Sequence, residues 1–215
     1  MFGAVDVFRD RQEAGRLLAK ALEVLEGEDV VVLGIARGGV PVGAEIARTR
    51  GWPLDVVIPR KVGAPGNPEL GIGAIAPGVR VLDHLMIERL GVTDEYIERE
   101  VAEQEAEIER RADAYRRGRP PADLDGRIAV VVDDGVATGG TAAAALRWAR
   151  ARGAEAVVLA VPVAPPDAVR RLSTEADRVL CLRTPEPFYA VGQWYQDFGQ
   201  TTDDEVVALL EELAA

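Results

Sequence analysis

Val130-Val131-Val132-Asp133-Asp134-Gly135-Val136-Ala137-Thr138-Gly139-Gly140-Thr141 reads as an apolar strand, two carboxylates and a Thr-Gly-Gly-Thr turn at the mouth of a helix. Glycines let backbone N–H groups converge with no Cβ in the way, and a helix N-terminus adds about half a positive charge. Together they make a cradle for a phosphate. Carboxylates at Asp133 and Asp134 would repel a phosphate held directly against them. They fit one step back, accepting hydrogen bonds from sugar hydroxyls. A glycine pair behind an aspartate would by itself read as a tight turn or a helix cap; the complete string reads as a binding loop. Two rival phosphate loops fail. Gly135 to Gly140 has Walker spacing, but Thr141 stands where a lysine is required. Gly71-Ile72-Gly73 is not placed between a strand and a helix, as a dinucleotide fingerprint must be.

Outward from this loop, strands alternate with helices. Apolar runs of strand length occur at Asp29–Ile35, Leu54–Ile58, Arg127–Val132, Glu155–Val163 and Arg178–Leu182, with a short one at Val79–Asp83. Helical spacing marks Val5–Glu26, Val40–Arg50, Thr141–Arg152, Pro166–Leu172 and Glu205–Leu213. This alternation predicts an α/β fold with a mostly parallel sheet flanked by helices on both faces. Gly63–Gly78 holds five glycines and three prolines without periodicity, and is expected to be a long flexible loop. Thr93–Arg117 intermixes glutamate and arginine and is expected to be a solvated helix with i,i+4 ion pairs.

Composition narrows the function. Among 215 residues there is one cysteine, Cys181, and one histidine, His84, so a disulfide framework, a cysteine zinc site and a histidine cluster are excluded. Both residues read as structural. The formal net charge of −11 argues against a protein that coats nucleic-acid phosphates. No apolar run reaches the ~20 residues of a membrane span, and Met1–Asp10 lacks a signal-peptide core, so a cytoplasmic location is expected.

Three further stretches carry chemistry. Gly34-Ile35-Ala36-Arg37-Gly38-Gly39 closes the first buried strand with a cation and a glycine pair, suited to an anion. Pro59-Arg60-Lys61 enters the glycine-rich segment, and Lys61 is one of two lysines against 23 arginines. Pro185–Phe198 gathers five of the eleven aromatics, among them Phe188, Trp194 and Tyr195. Such rings either pack in a core or stack on a base.

The string Val130–Thr141 resembles the signature of type I phosphoribosyltransferases, which bind phosphoribosyl pyrophosphate (PRPP). The resemblance spans about residues 29 to 200. It implies that Asp133 and Asp134 bind the ribose hydroxyls, and that Ala137, Thr138, Gly139, Gly140 and Thr141 cradle the 5′-phosphate. Ala36, Arg37, Gly38 and Gly39 would form the pyrophosphate loop, with a cis peptide between Ala36 and Arg37. Arg60 and Lys61 would meet PRPP from a closing loop at about 62–78, making Arg37, Lys61, Asp133 and Asp134 the catalytic set. Phe188, Trp194 and Tyr195 would bind the base from a hood at about 184–215, beside a core at about 29–183 in a single domain. The family also implies Mg²⁺, held in part by Asp133 directly or through water. It further implies a homodimer, and displacement of pyrophosphate by a nitrogen nucleophile such as a nucleobase. The alternative is a PRPP- or nucleotide-binding regulator on the same fold. Family members acting on 6-oxopurines place an aspartate where this chain has Ala137, so hypoxanthine and guanine are not the expected acceptors.

Overall fold

The computed structural model describes residues 7–214. In chain order its elements are α1 (Arg11–Ala21), β1 (Val30–Ile35), α2 (Gly39–Arg50), β2 (Leu54–Val57), β3 (Arg60–Ala64), β4 (Asn67–Ala76), β5 (Val79–Leu82), α3 (His84–Leu90), α4 (Asp94–Arg116), β6 (Ile128–Val132), α5 (Gly140–Ala151), β7 (Ala156–Val163), α6 (Pro166–Leu172), β8 (Arg178–Arg183) and α7 (Asp203–Leu213). The valine-rich strands form a parallel five-stranded sheet in the order β2-β1-β6-β7-β8. Alternate residues serve opposite faces. Val30, Val32, Val130 and Val132 pack with Leu18, Ile46, Val101 and Val206 from α1, α2, α4 and α7. Val31, Leu33, Ala129 and Val131 pack with Leu146, Trp148 and Leu172 from α5 and α6. Both faces are therefore dry, which is why these strands read as continuous apolar runs.

β1 and β6 are neighbours, in register from Val30↔Ile128 to Gly34↔Val132. Their C-terminal ends thus open side by side, about 5 Å apart, and place the two glycine-rich loops against one another.

Three expectations need correction. Residues 63–78 are an antiparallel sheet, β3-β4-β5, rather than an unstructured loop. Pro65-Gly66 makes the tight turn, with Gly66 at φ 73°, the conformation a type II turn requires. Val62, Ile72 and Ile75 are fully buried beneath this small sheet. The first helix begins at Arg11 and not at Val5, because Asp10 caps it by accepting from the Glu13 amide at 2.7 Å. The Val5 and Asp6 of that expected helix lie outside the described residues. Phe8, also expected in it, is extended and pairs with Tyr195. Finally, α4 is not wholly solvated. Ile97, Val101, Ile108 and Tyr115 form a buried stripe, and Arg116 makes a buried ion pair with Asp55 at 3.0 Å that fixes the helix to β2.

Candidate functional site

The loop after β1 comes first. The Ala36–Arg37 peptide is cis, and α2 starts immediately afterwards at Gly39. Gly38 and Gly39 are required by close approach. A Cβ on Gly38 would lie 2.0 Å from Asp134 Oδ2, and one on Gly39 would lie 2.3 Å from the Val132 carbonyl oxygen. These two contacts bring the loop after β1 against the acid pair after β6.

Asp133 accepts the Asp134 amide with its Oδ1 at 2.9 Å. Burial, reinforced by the neighbouring Asp134 charge, pushes the Asp133 carboxyl well above the usual carboxylate range. Burial also raises Asp134, and the Arg11 guanidinium opposes that rise. Two adjacent carboxylates taken from water this far resist carrying both charges alone, so the pair is suited to hydroxyl donors or a cation.

Beyond the acids, Ala137 and Thr138 are exposed, and Gly139, at φ 81°, caps α5. The first-turn amides of α5 have no partners within the helix. Arg171 of α6 donates to the Thr138 carbonyl, Leu172 lies under Gly139, and Ala74 of β4 faces Gly140. The loop is thus braced by α6 and β4, and the first-turn amides of α5, unpartnered within the helix, make an arrangement that can accept a phosphate.

Arg37 meets a carboxylate. Its Nη1 lies 3.4 Å from Asp203 at the start of α7, and the Tyr115 hydroxyl donates to the same Asp203 oxygen at 2.7 Å. The Tyr115 hydrogen bond, followed by the Arg37 and Arg111 charges, holds Asp203 below the ordinary carboxylate range. Tyr115 is driven up to about 12, mainly by burial and then by Asp203. Arg60 leans toward α4, donating to Gln104 at 2.9 Å, and its pKa is lowered by burial and next by the nearby Arg111 charge. Three arginines therefore surround the ends of β1 and β2: Arg37, Arg60 and Arg111. Arg111 was hidden in the charged helix. Its one signal was its place four residues before Tyr115, on the stripe that turns inward.

The remaining expected site residues are placed otherwise. Lys61 is held along the hairpin, its Nζ 3.4 Å from the Glu69 carbonyl and its methylenes over Gly71. Its cross-strand partner is Ala74, which faces Gly140 of the phosphate loop. Trp194 and Tyr195 are buried, packed with Phe8 and Val163. Trp194 stacks on Phe188, and Tyr195 lies between Phe8 and Phe198. Their faces are covered by neighbours, so a base cannot stack on them as they stand. Phe188 is half-buried and Tyr189 is exposed. Cys181 is half-buried with its thiol raised to about 11, chiefly by burial, and His84 is exposed at the start of α3.

A parallel sheet carrying an acid pair and a phosphate loop on one strand, and a cation–glycine loop on the next, defines a phosphoribosyltransferase-type site. The phosphoribosyl transferase domain profile matches residues 9–194, and the chain belongs to that family. A Mycobacterium tuberculosis protein with the provisional name phosphoribosyl transferase is 52% identical over 206 residues, covering 95% of this chain and 46% of that protein. The chain thus spans about half the length of the curated relatives it matches. The crystal structure of TT1426 from Thermus thermophilus superposes with a TM-score of 0.82 at 50% identity, covering 97% of this chain and all of that one. A purine phosphoribosyltransferase from Pyrococcus horikoshii shares the fold, with a TM-score of 0.50 at 17% identity, over 89% of this chain and 92% of that one.

Proposed function

We propose that the chain transfers a 5-phosphoribosyl group from PRPP to a nitrogen nucleophile. The observation that carries this is the contact between the two loops: Asp134 lies where a side chain on Gly38 would be, so sugar-binding acids and pyrophosphate-binding amides form one surface. The nitrogen lone pair forms the new bond to C1 as the C1–oxygen bond breaks. The electron pair of the broken bond leaves with pyrophosphate. Arg37 and the Gly38 and Gly39 amides are placed to stabilise that leaving charge. This requires Arg37 to exchange Asp203 for the substrate, a change favoured by pyrophosphate's greater charge. Arg60 and Arg111 add positive potential on the same side, and the hairpin carrying Lys61 would cover the cleft and exclude water.

Asp133 suits Mg²⁺ as one carboxylate beside substrate oxygens, since this hard cation keeps several waters and needs no protein cage. The described residues offer no cluster of three or more His, Cys, Asp or Glu side chains that could hold a metal alone. Mg²⁺ would supply charge neutralisation between the two anionic ends of PRPP. A homodimer and a cytoplasmic location accompany this reading as family expectations.

With Ala137 in place of a carboxylate, the loop offers no proton acceptor to a 6-oxopurine. The acceptor is therefore another nitrogen heterocycle or an amine. Calorimetric titration with PRPP, with and without Mg²⁺, followed by pyrophosphate exchange across a panel of bases, tests the proposal. Expected are Mg²⁺-dependent PRPP binding, exchange with at least one acceptor, and weak or no exchange with hypoxanthine and guanine. Absence of PRPP binding in Mg²⁺ refutes the function, binding without any exchange favours a regulator, and vigorous hypoxanthine turnover refutes the role given to Ala137.

A further inference from the structure

Arg11 opens α1 and reaches across the molecule to the acid pair. Its Nε and one terminal nitrogen both lie 2.8 Å from Asp134 Oδ2, and both side chains are only 13–14% exposed. Its other terminal nitrogen donates to the Gly199 carbonyl at 2.7 Å, and its guanidinium lies 4.0 Å from the centre of the Phe198 ring. The Tyr195 hydroxyl donates to the Asp134 carbonyl at 2.5 Å. The segment 195–199 thus holds both the backbone of Asp134 and the cation on its side chain. Gly38 crowds Oδ2 from another side. The carboxylate is confined, with Oδ2 given to Arg11 and Oδ1 outside that contact.

We propose that Arg11 is a positioning residue of the sugar site. It fixes Asp134 so that one oxygen remains for a ribose hydroxyl, and it makes that placement depend on the seating of residues 195–199. The inference rests on the PRPP reading above. An arginine suits the task because its rigid fork can serve Asp134, the Gly199 carbonyl and the Phe198 face together, whereas a lysine offers one flexible point charge.

The test measures PRPP affinity with Mg²⁺ by calorimetry, and KM for PRPP and for the acceptor by exchange, in wild type, Arg11→Gln, Arg11→Lys, Asp134→Asn and the Arg11→Gln/Asp134→Asn double variant. Arg11→Gln is expected to weaken PRPP about 10- to 100-fold, the size of a charge-assisted hydrogen bond. Acceptor KM should stay unchanged, and Arg11→Lys should recover part of the loss. On the Asp134→Asn background, Arg11→Gln should add less than about threefold, because the two residues act as one unit. PRPP affinity in Arg11→Gln within about twofold of wild type overturns the proposal, as do losses that multiply in full in the double variant. If Arg11→Gln does not fold, Arg11→Lys decides: a loss confined to PRPP supports the role, and wild-type affinity overturns it. A wild-type protein that ignores PRPP overturns both readings. Normal wild-type binding with an unaffected Arg11→Gln overturns this one alone.

Discussion

Substituting Gly38 by alanine probes the contact between the two loops. The backbone tolerates the change: Gly38 has φ −62° and ψ −28°, ordinary for alanine. An unopposed Gly→Ala change at such a position gains about 0.4–1 kcal/mol from the unfolded chain. Against this, the new Cβ would lie 2.0 Å from Asp134 Oδ2 and 2.6 Å from its Cγ, so the carboxylate must move. Moving it breaks the two 2.8 Å contacts to Arg11, a charge-assisted pair worth about 1.5–3 kcal/mol. The loss exceeds the gain, leaving a net destabilisation of about 1–2 kcal/mol. For a chain of this size that lowers the midpoint of thermal unfolding by about 2–8 °C. Calorimetric unfolding of wild type and Gly38→Ala, followed by PRPP titration, measures both consequences, with PRPP affinity expected to fall at least about tenfold. A Gly38→Ala protein as stable as wild type, with undiminished PRPP affinity, would refute the argument that Asp134 is confined by this glycine.

Asp133→Asn and Asp134→Asn should fold and lose most pyrophosphate exchange, because each removes a charged acceptor from the sugar site; wild-type exchange rates in both would contradict that role. Glu107 is held down at about 2, first by its hydrogen bond from Arg110 and then by that from Arg111. Its folded pKa lies below the unfolded 4.5, so its contribution is complete above about pH 4.5 and disappears as pH falls toward 2. The pair is close to solvent, so the effect stays below about 1 kcal/mol and should shrink with salt. Acid-unfolding curves of Glu107→Gln should accordingly be slightly flatter across that window. Cys181, raised from 9.0 to about 11, should react with a thiol reagent at pH 8 about 100-fold more slowly folded than unfolded. Equal rates would show the thiol to be open.

Some of this was legible because it is local. Residues 130–141 contain their own strand, acids, glycines and helix start, so a single window carries the loop. Gly34–Gly39 is similarly self-contained. The hairpin was obscured because Gly63, Gly71 and Gly73 stand where alternating side chains would have marked strands. At Gly63 and Gly73 a Cβ would come within 2.6–2.7 Å of neighbouring backbone, so close chain packing replaced the periodic pattern. Arg11 escaped notice because its partner lies 123 residues away. Arg111 was one arginine among many on a charged helix. Trp194 and Tyr195 carried the right chemistry for a base but were claimed by the core, since Phe8, their partner, sits in a stretch that reads as helix.

The pairing of Phe8 with Tyr195 also sets a timetable. Phe8 donates its amide to the Trp194 carbonyl at 2.8 Å and accepts from the Gln196 amide at 2.8 Å. Translation at about 5–20 residues per second separates the emergence of these partners by about 10–40 s. Until residue 194 emerges the early segment has no strand to join, whereas β1 and β6 can pair as soon as residue 132 has emerged. Arg11 follows Phe8 closely and bonds the Gly199 carbonyl, so the acid pair acquires its brace only after residue 199 has been made. A chain ending at residue 194 would contain all five strands of the sheet but neither Tyr195 nor Gly199 to seat Asp134 and Arg11.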